Sequence, residues 1–173
     1  MACVTIRDAK ETDADIVWRI HTGCIEKVCS SHYSKEEVEQ WARRQRPDNY
    51  VQFIRKDEFI VAAQEGCVVG FGHLGACEDH EKFPQGIKLE VKALYVFPEA
   101  AGRGTGRALF EELRRRAVDR RCSRLGVCST LNAVPFYESC GFTVVKEVLH
   151  CVGDRSLRCK ILELQLSQSV VVK

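Results

Sequence analysis

The segment Leu89 to Phe110, LEVKALYVFPEAAGRGTGRALF, constrains this chain more than any other. Its run of apolar β-formers, Leu94, Tyr95, Val96 and Phe97, reads as a strand. Pro98 ends that strand, because proline has no N–H to give a sheet ladder. The alternating glycines Gly102, Gly104 and Gly106 follow, and then Leu109, Phe110, Leu113 and Ala117 recur at helical spacing. A strand, a glycine-rich turn and a helix N-terminus make a device for holding phosphate. The N–H groups of the first helical turn lack intrahelical partners, and the helix dipole is positive there. Glycine lets the backbone approach an anion closely and adopt positive φ.

This loop is not a Walker A, because no GxxxxGK[ST] is present and no lysine follows the glycines. Its G-x-G-x-G spacing also differs from the dinucleotide fingerprint. A literal G-x-G-x-x-G does occur at Gly70-Phe71-Gly72-His73-Leu74-Gly75, but a polar turn follows it, with no helix to carry a pyrophosphate. Gly70 and Gly72 read instead as strand glycines at a close backbone approach.

The segment LYVFPEAAGRGTGRALF resembles the acyl-CoA-binding signature of the GNAT superfamily of N-acyltransferases. A second stretch, Asn132-Ala133-Val134-Pro135-Phe136-Tyr137-Glu138-Ser139-Cys140-Gly141-Phe142, is similar to that family's downstream N…A…FYE…GF element. The two occur in the family's order, about 30 residues apart, and the resemblance runs from about Val4 to Leu166. One position departs from the pattern. The family usually places Arg or Gln three residues before the middle glycine, and here that residue is Ala101. The main-chain cradle should survive this change, while a side-chain contact to the pyrophosphate is lost unless Arg103 or Arg107 supplies one.

The resemblance implies an α/β fold with a mixed, mostly antiparallel central sheet of about seven strands and helices on both faces. The order of predicted elements, strands first and then a strand–helix–strand crossover, agrees. In this architecture two neighbouring strands splay and a pantetheine arm enters between them. Leu94, Tyr95 and Val96 would offer it backbone groups. Ala101, Gly102, Arg103, Gly104, Thr105, Gly106 and Arg107 would surround the pyrophosphate, and Asn132, Phe136 and Tyr137 would also contact the coenzyme.

The implied chemistry is acetyl transfer from acetyl-CoA, as cosubstrate and without a metal, to a primary amine, most simply a small molecule. Protein lysines or N-termini are alternative acceptors, and a catalytically silent acyl-CoA-binding protein is an alternative class. An ammonium with a reference pKa near 10.4 must lose a proton before it attacks, and the departing thiolate gains one. Tyr137, from the FYE element, is the expected acid, and its bland reading is a core aromatic beside Phe136. Glu90, six residues before Val96, stands where many GNAT proteins carry a base, and otherwise reads as a surface carboxylate beside Lys92. His73 and His150, expected on neighbouring strands, are reserve bases. The family's acceptor wall maps to Cys24–Trp41, so His32, Tyr33 and Trp41, with His73, are the substrate-binding candidates.

Composition supports an ordinary globular chain, one domain over residues 1–173 with a tail from Ser167, at 45% hydrophobic and 29% charged residues. No apolar run approaches the ~18 residues of a membrane span, and the N-terminus lacks a signal-peptide core. A cytoplasmic location is expected, without a membrane partner. Ten cysteines with no C-x-x-C and no zinc spacing point to free thiols in a reduced compartment, with Cys67, Cys128 and Cys159 as small buried hydrophobes. Between Arg103 and Arg124 eight arginines face three acids. They read either as a solvated helix face laced with Glu–Arg pairs or as an electropositive mouth for coenzyme A. No aromatic residues interleave with them, so nucleic acid is not an expected partner. A homodimer is an admissible assembly.

The remaining elements follow from pattern. A strand is expected at Cys3–Arg7 and a helix opening at Thr12 with Asp15 in a capping box. A second helix should start at Ser34 and turn Val38, Trp41 and Ala42 inward, with a turn at Arg46–Asn49. Glu58–Gln64 and Cys67–Ala76 should form a hairpin about Glu65-Gly66. A strand near Leu125–Cys128, a short helix capped by Asn132 and closed by Gly141, and two final strands complete the chain.

Overall fold

The computed structural model describes residues 3–44, 46–152 and 154–167. The expected C-terminal tail, from residue 168 onward, lies outside the described residues. Seven strands form one sheet: β1 (Val4–Asp8), β2 (Glu58–Gln64), β3 (Cys67–Ala76), β4 (Leu89–Val96), β5 (Arg124–Thr130), β6 (Thr143–Val152) and β7 (Arg155–Gln165). Their order is β1-β2-β3-β4-β5-β7-β6. All neighbours are antiparallel except β4 and β5, which are parallel and joined by the crossover helix. The mixed, mostly antiparallel sheet is therefore as expected.

Helices cover both faces. α1 (Ala14–Val28) and α3 (Pro47–Lys56) pack Val17, Ile20 and Tyr50 on Phe59, Val61 and Phe71. α2 (Lys35–Arg44) covers β6 and β7 through Val38, Ala42, Leu157 and Cys159. On the opposite face α4 (Thr105–Asp119) and α5 (Val134–Ser139) bury Leu109, Phe110, Leu113 and Tyr137 against Ile60, Leu74, Leu125 and Leu162. The strand glycines behave as read from sequence. A Cβ on Gly70 would lie 2.9 Å from the Tyr95 carbonyl oxygen, and one on Gly72 would lie 3.0 Å from Leu113 of α4.

Several local expectations are corrected. Arg46–Asn49 is not a turn but the opening of α3: Pro47 takes the first helical position, and the Asn49 side chain accepts the Arg46 N–H at 2.9 Å. α1 starts at Ala14 after a short 3-10 turn, and its cap is Asp13, not Thr12 and Asp15. Asp13 accepts the Lys10 N–H at 2.7 Å while Arg7 holds its carboxylate, a bond that keeps that carboxyl below its usual range. Asn132 sits one residue early, in a 3-10 turn over Leu131–Ala133, and Ala133 occupies the cap of α5. Gly141, at φ +97°, does terminate that helix. His73 on β3 and His150 on β6 are not on neighbouring strands, since β4, β5 and β7 separate them. All ten cysteines are free, as expected, but Cys67 is exposed at the start of β3 and Cys128 is half-buried. Among the described residues no helix is long and apolar enough to cross a membrane.

Candidate active site

The feature that creates a site is the parting of β4 from β5. The two strands pair only from Leu89 to Val91 against Leu125 to Val127, although β4 continues to Val96 and β5 to Thr130. At the same point β4 carries one extra residue, Lys92, between the partners of His73 and Leu74 on β3. Such a bulge bends a strand and re-aims its side chains. It also shifts the alternation, so that Glu90 and Tyr95, an odd number of residues apart, line the same cavity. Beyond Val91 the β4 edge facing β5 has no ladder partner, which leaves backbone donors and acceptors for a ligand.

Three cavities follow this edge. The first, about 410 Å3, is lined by Ala101, Gly102, Gly104, Gly106, Arg107 and Phe136 among others. The second, about 160 Å3, fills the cleft between the strands and shares Leu94, Val96, Ala133 and Tyr137 with the first. The third, about 370 Å3, lies on the α1–α2 side and shares Ala93, Tyr95, Cys128 and Thr130 with the second. Together they trace a passage from the glycine loop, through the split sheet, to the opposite face.

At the loop, Gly102 and Gly104 have φ of +73° and +85°, and a Cβ at either would meet nothing within 4 Å. Gly104 caps α4 without a side chain, and the first intrahelical bond runs from the Ala108 N–H to the Gly104 carbonyl. The N–H groups ahead of Ala108 therefore remain for an anion. This is a cradle that fits a pyrophosphate without the side chain missing at Ala101. Arg107 donates to the Ser139 carbonyl and hydroxyl at 3.0 and 3.1 Å, tying α4 to α5, while Arg103 makes no ion pair with the described residues. The arginine-rich helix is mostly self-compensated. Arg115 and Arg116 pair with Glu112, Arg116 also reaches Asp8 and Glu58, and Arg120 reaches Glu58. The paired-face reading holds for Arg114, Arg115, Arg116 and Arg120.

Tyr137 is 5% exposed and lies between the first two cavities. Its ring is wedged between Phe136 and Phe142, at 5.3 and 5.4 Å. Its hydroxyl has no partner among the described residues, yet it does not count among the buried polar atoms lacking one, so the cavity reaches it. Burial, with a smaller push from Cys140, raises its pKa, which keeps the proton on the phenol at neutral pH. Cys24 donates to the Val96 carbonyl at 3.1 Å and Cys29 to the Asn132 side-chain oxygen at 3.6 Å. Burial pushes both thiols up to about 12, so these cleft cysteines are thiols rather than thiolate nucleophiles. With its oxygen occupied, Asn132 keeps its amide N–H groups for the cleft.

On the third cavity Glu90 is nearly buried and receives the Lys92 ammonium at 2.7 Å. Trp41 lines this cavity too. The other acceptor candidates do not. His32 is exposed and bonds Ser31 at 2.8 Å. Tyr33 donates to the Arg158 carbonyl at 2.7 Å and accepts the Leu131 N–H at 3.1 Å, thereby anchoring the turn that carries Asn132. His73 points to Asp57, 2.8 Å away, and packs between Phe53 and Phe59; burial lowers its pKa despite that carboxylate.

Sequence reasoning missed His21. It lines the third cavity, its ring centroid 4.6 Å from that of Tyr95, and its Nδ1 bonds the Tyr50 hydroxyl. Tyr50 is buried and has no other partner among the described residues, so its O–H donates to His21, since an unmade buried bond costs about 1–3 kcal/mol. The proton of neutral His21 then sits on Nε2, which diverges from Tyr50. Burial lowers the His21 pKa to about 4, so the ring is an uncharged N–H donor at neutral pH. The available signal was a histidine four residues after Val17 and three before Cys24, on the inward stripe of α1. Among the described residues, no group of three or more His, Cys, Asp or Glu is placed to hold a metal ion.

Comparisons with known proteins agree with this geometry. The family model for the acetyltransferase (GNAT) domain matches residues 29–153. The chain is 26% identical over 144 residues to the uncharacterised N-acetyltransferase YafP of Escherichia coli K12, covering 83% of this chain and 84% of YafP. A GCN5-related N-acetyltransferase from Rhodopseudomonas palustris superposes with a TM-score of 0.83 at 22% identity, covering 96% of this chain and 98% of that one. YncA of Salmonella typhimurium, solved with its cofactor acetyl-CoA, gives 0.69 at 23% identity, covering 96% and 95%. With a cradle, a split sheet and a family match over most of its length, the chain belongs to the GNAT family of acyl-CoA-dependent N-acetyltransferases.

Proposed function

We propose that the protein transfers an acetyl group from acetyl-CoA to a primary amine of a small molecule, by direct attack with both substrates bound. The observation that carries this reading is the unpaired edge of β4. It runs from the cavity of the glycine loop to the cavity of Glu90. In this reading the N–H groups at Gly104–Arg107 hold the pyrophosphate, Arg103 adds the side-chain contact absent at Ala101, and the β4 edge from Ala93 to Val96 holds the pantetheine arm. Glu90, directly or through a water, takes the proton from the acceptor ammonium. Tyr137, on the other side of the cleft, gives its proton to the departing thiolate. His21 offers the acceptor a neutral N–H, and Trp41 flanks it. Holding the reactants together supplies much of the rate.

The acceptor cavity of about 370 Å3 is in the lower range of small-molecule sites, roughly 300–1,000 Å3, which favours a small acceptor over a folded protein surface. The test is release of free thiol from acetyl-CoA across amines, diamines, amino acids and peptides. Amine-dependent release is expected. Tight acetyl-CoA binding with no release above hydrolysis for any amine would leave a silent acyl-CoA-binding protein in its place.

A further inference from the structure

The wall of the acceptor cavity farthest from the glycine loop carries a group of donors that proton transfer does not use. Arg44 comes from the last turn of α2, Lys82 from the loop between β3 and β4, and His150 from β6. Three remote segments thus bring basic side chains to one place. The Lys82 ammonium is 3.3 Å from His150 Nδ1. An ammonium can only donate, so Nδ1 accepts and neutral His150 carries its proton on Nε2. Burial lowers the pKa of His150, and the charges of Lys82 and Arg44 lower it further, so His150 sits in the field of both cations.

The charge balance around this cavity is uneven. Glu90 has Lys92 at 2.7 Å, Asp79 has Lys82 at 3.0 Å and Glu78 has Lys56 at 2.9 Å. Each wall carboxylate therefore has its own lysine. Arg44 has no carboxylate among the described residues; one of its N–H groups donates to the Cys151 carbonyl at 3.2 Å. Lys82 is only 18% exposed, and its ion-pair partner among the described residues, Asp79, is 49% exposed. An anion entering from the cavity would complete the site, and a carboxylate is the planar anion that a guanidinium fork holds best.

We propose that the acceptor is an amine that also carries a carboxylate, an amino acid rather than a plain amine, and that Arg44, Lys82 and His150 form its carboxylate subsite. This rests on the transfer reading above. The amino group lies toward Glu90 and the β4 edge, and the carboxylate lies against the α2 and β6 wall.

The test compares each amino acid of a panel with its carboxamide and its decarboxylated amine, by thiol release from acetyl-CoA. For the preferred amino acid, kcat/KM should exceed that of both analogues by roughly 10–100-fold, the range of one charge-assisted hydrogen-bond pair. Arg44→Gln, at an exposed position where folding is not at risk, should collapse that ratio toward one, chiefly through KM. Lys82→Met should do the same. Acetyl-CoA affinity, measured separately by titration, reports on the fold and the coenzyme site. If decarboxylated amines are acetylated as well as their amino acids, or Arg44→Gln leaves the ratio intact, the subsite is overturned while the transfer reading stands. If no amine of any kind is acetylated, both fall.

Discussion

Gly104→Ala separates what the loop glycines do for the fold from what they do for the ligand. Gly104 has φ +85°, and a Cβ there meets nothing within 4 Å. The substitution therefore creates no clash, and its whole cost is a left-handed backbone on an L-residue, about 1–2 kcal/mol. For a chain of this length that lowers Tm by roughly 2–8 °C. Gly106 lies inside the first turn of α4 without a positive φ, and its Cβ would rest 3.4 Å from the Phe136 ring. Alanine there should raise stability by about 0.5–1 kcal/mol, since glycine is a poor helix former. Ligand binding should discriminate further. At about 100 times its Kd, acetyl-CoA adds roughly 2.7 kcal/mol to the parent. A methyl in the open space above Gly104 obstructs the approach of phosphate; a tenfold weaker Kd leaves about 1.4 kcal/mol of that gain. Thermal melts with and without acetyl-CoA measure both effects. Gly104→Ala should melt lower and show about half the parent's ligand shift, whereas Gly106→Ala should melt higher in the absence of ligand. Equal melting and equal ligand shifts for parent and Gly104→Ala would refute the reasoning about the cradle.

Three further predictions concern the charges and protons of the site. Glu90→Gln should depress the rate most at and below neutral pH, where the acceptor is protonated, and recover partly as free amine accumulates; an unchanged pH–rate profile would remove Glu90 as the base. Arg103→Ala should weaken acetyl-CoA binding and flatten its salt dependence, because a charge–charge contact is screened, while Arg107→Ala, already bonded to Ser139, should act mainly on stability. His21, neutral in the fold with a pKa of about 4 against an ordinary 6.5, is protonated more readily when unfolded, so its stability contribution is intact above 6.5 and is lost as pH falls toward 4. Melts between pH 7 and 4.5 should show that fall, His21→Phe should make it shallower, and an identical slope in the variant would contradict the burial argument.

The glycine loop, the hairpin and the short helix closed by Gly141 were legible because each is written in a contiguous stretch, whereas the mixed sheet came from the family resemblance and the order of elements. The place of Tyr137 on that short helix was legible in the same way. Other features depend on long-range pairing. The bulge at Lys92 has no local signature, yet it puts Glu90 on the same wall as Tyr95. α3 was missed because Pro47, Asp48 and Asn49 favour turns as well as first helical turns, although Tyr50, Phe53 and Ile54 do repeat at helical spacing. His32 and Tyr33 lie in the segment of the expected acceptor wall, but the chain turns there, so His32 faces solvent and Tyr33 faces the β7 backbone. His21 and the trio of Arg44, Lys82 and His150 come from elements that only the sheet topology brings together.

The most direct test of catalysis at this site is turnover by Tyr137→Phe, measured beside its acetyl-CoA affinity. The change removes one hydroxyl that has no partner among the described residues and leaves the ring between Phe136 and Phe142. Packing and coenzyme affinity should therefore stay close to the parent's. Loss of a positioned acid costs about 10²–10⁴-fold in rate. A fall of that size in thiol release, at nearly unchanged acetyl-CoA binding, is the predicted result and assigns Tyr137 to the transition state. Turnover equal to the parent's would contradict it and leave Tyr137 a packing and binding residue only.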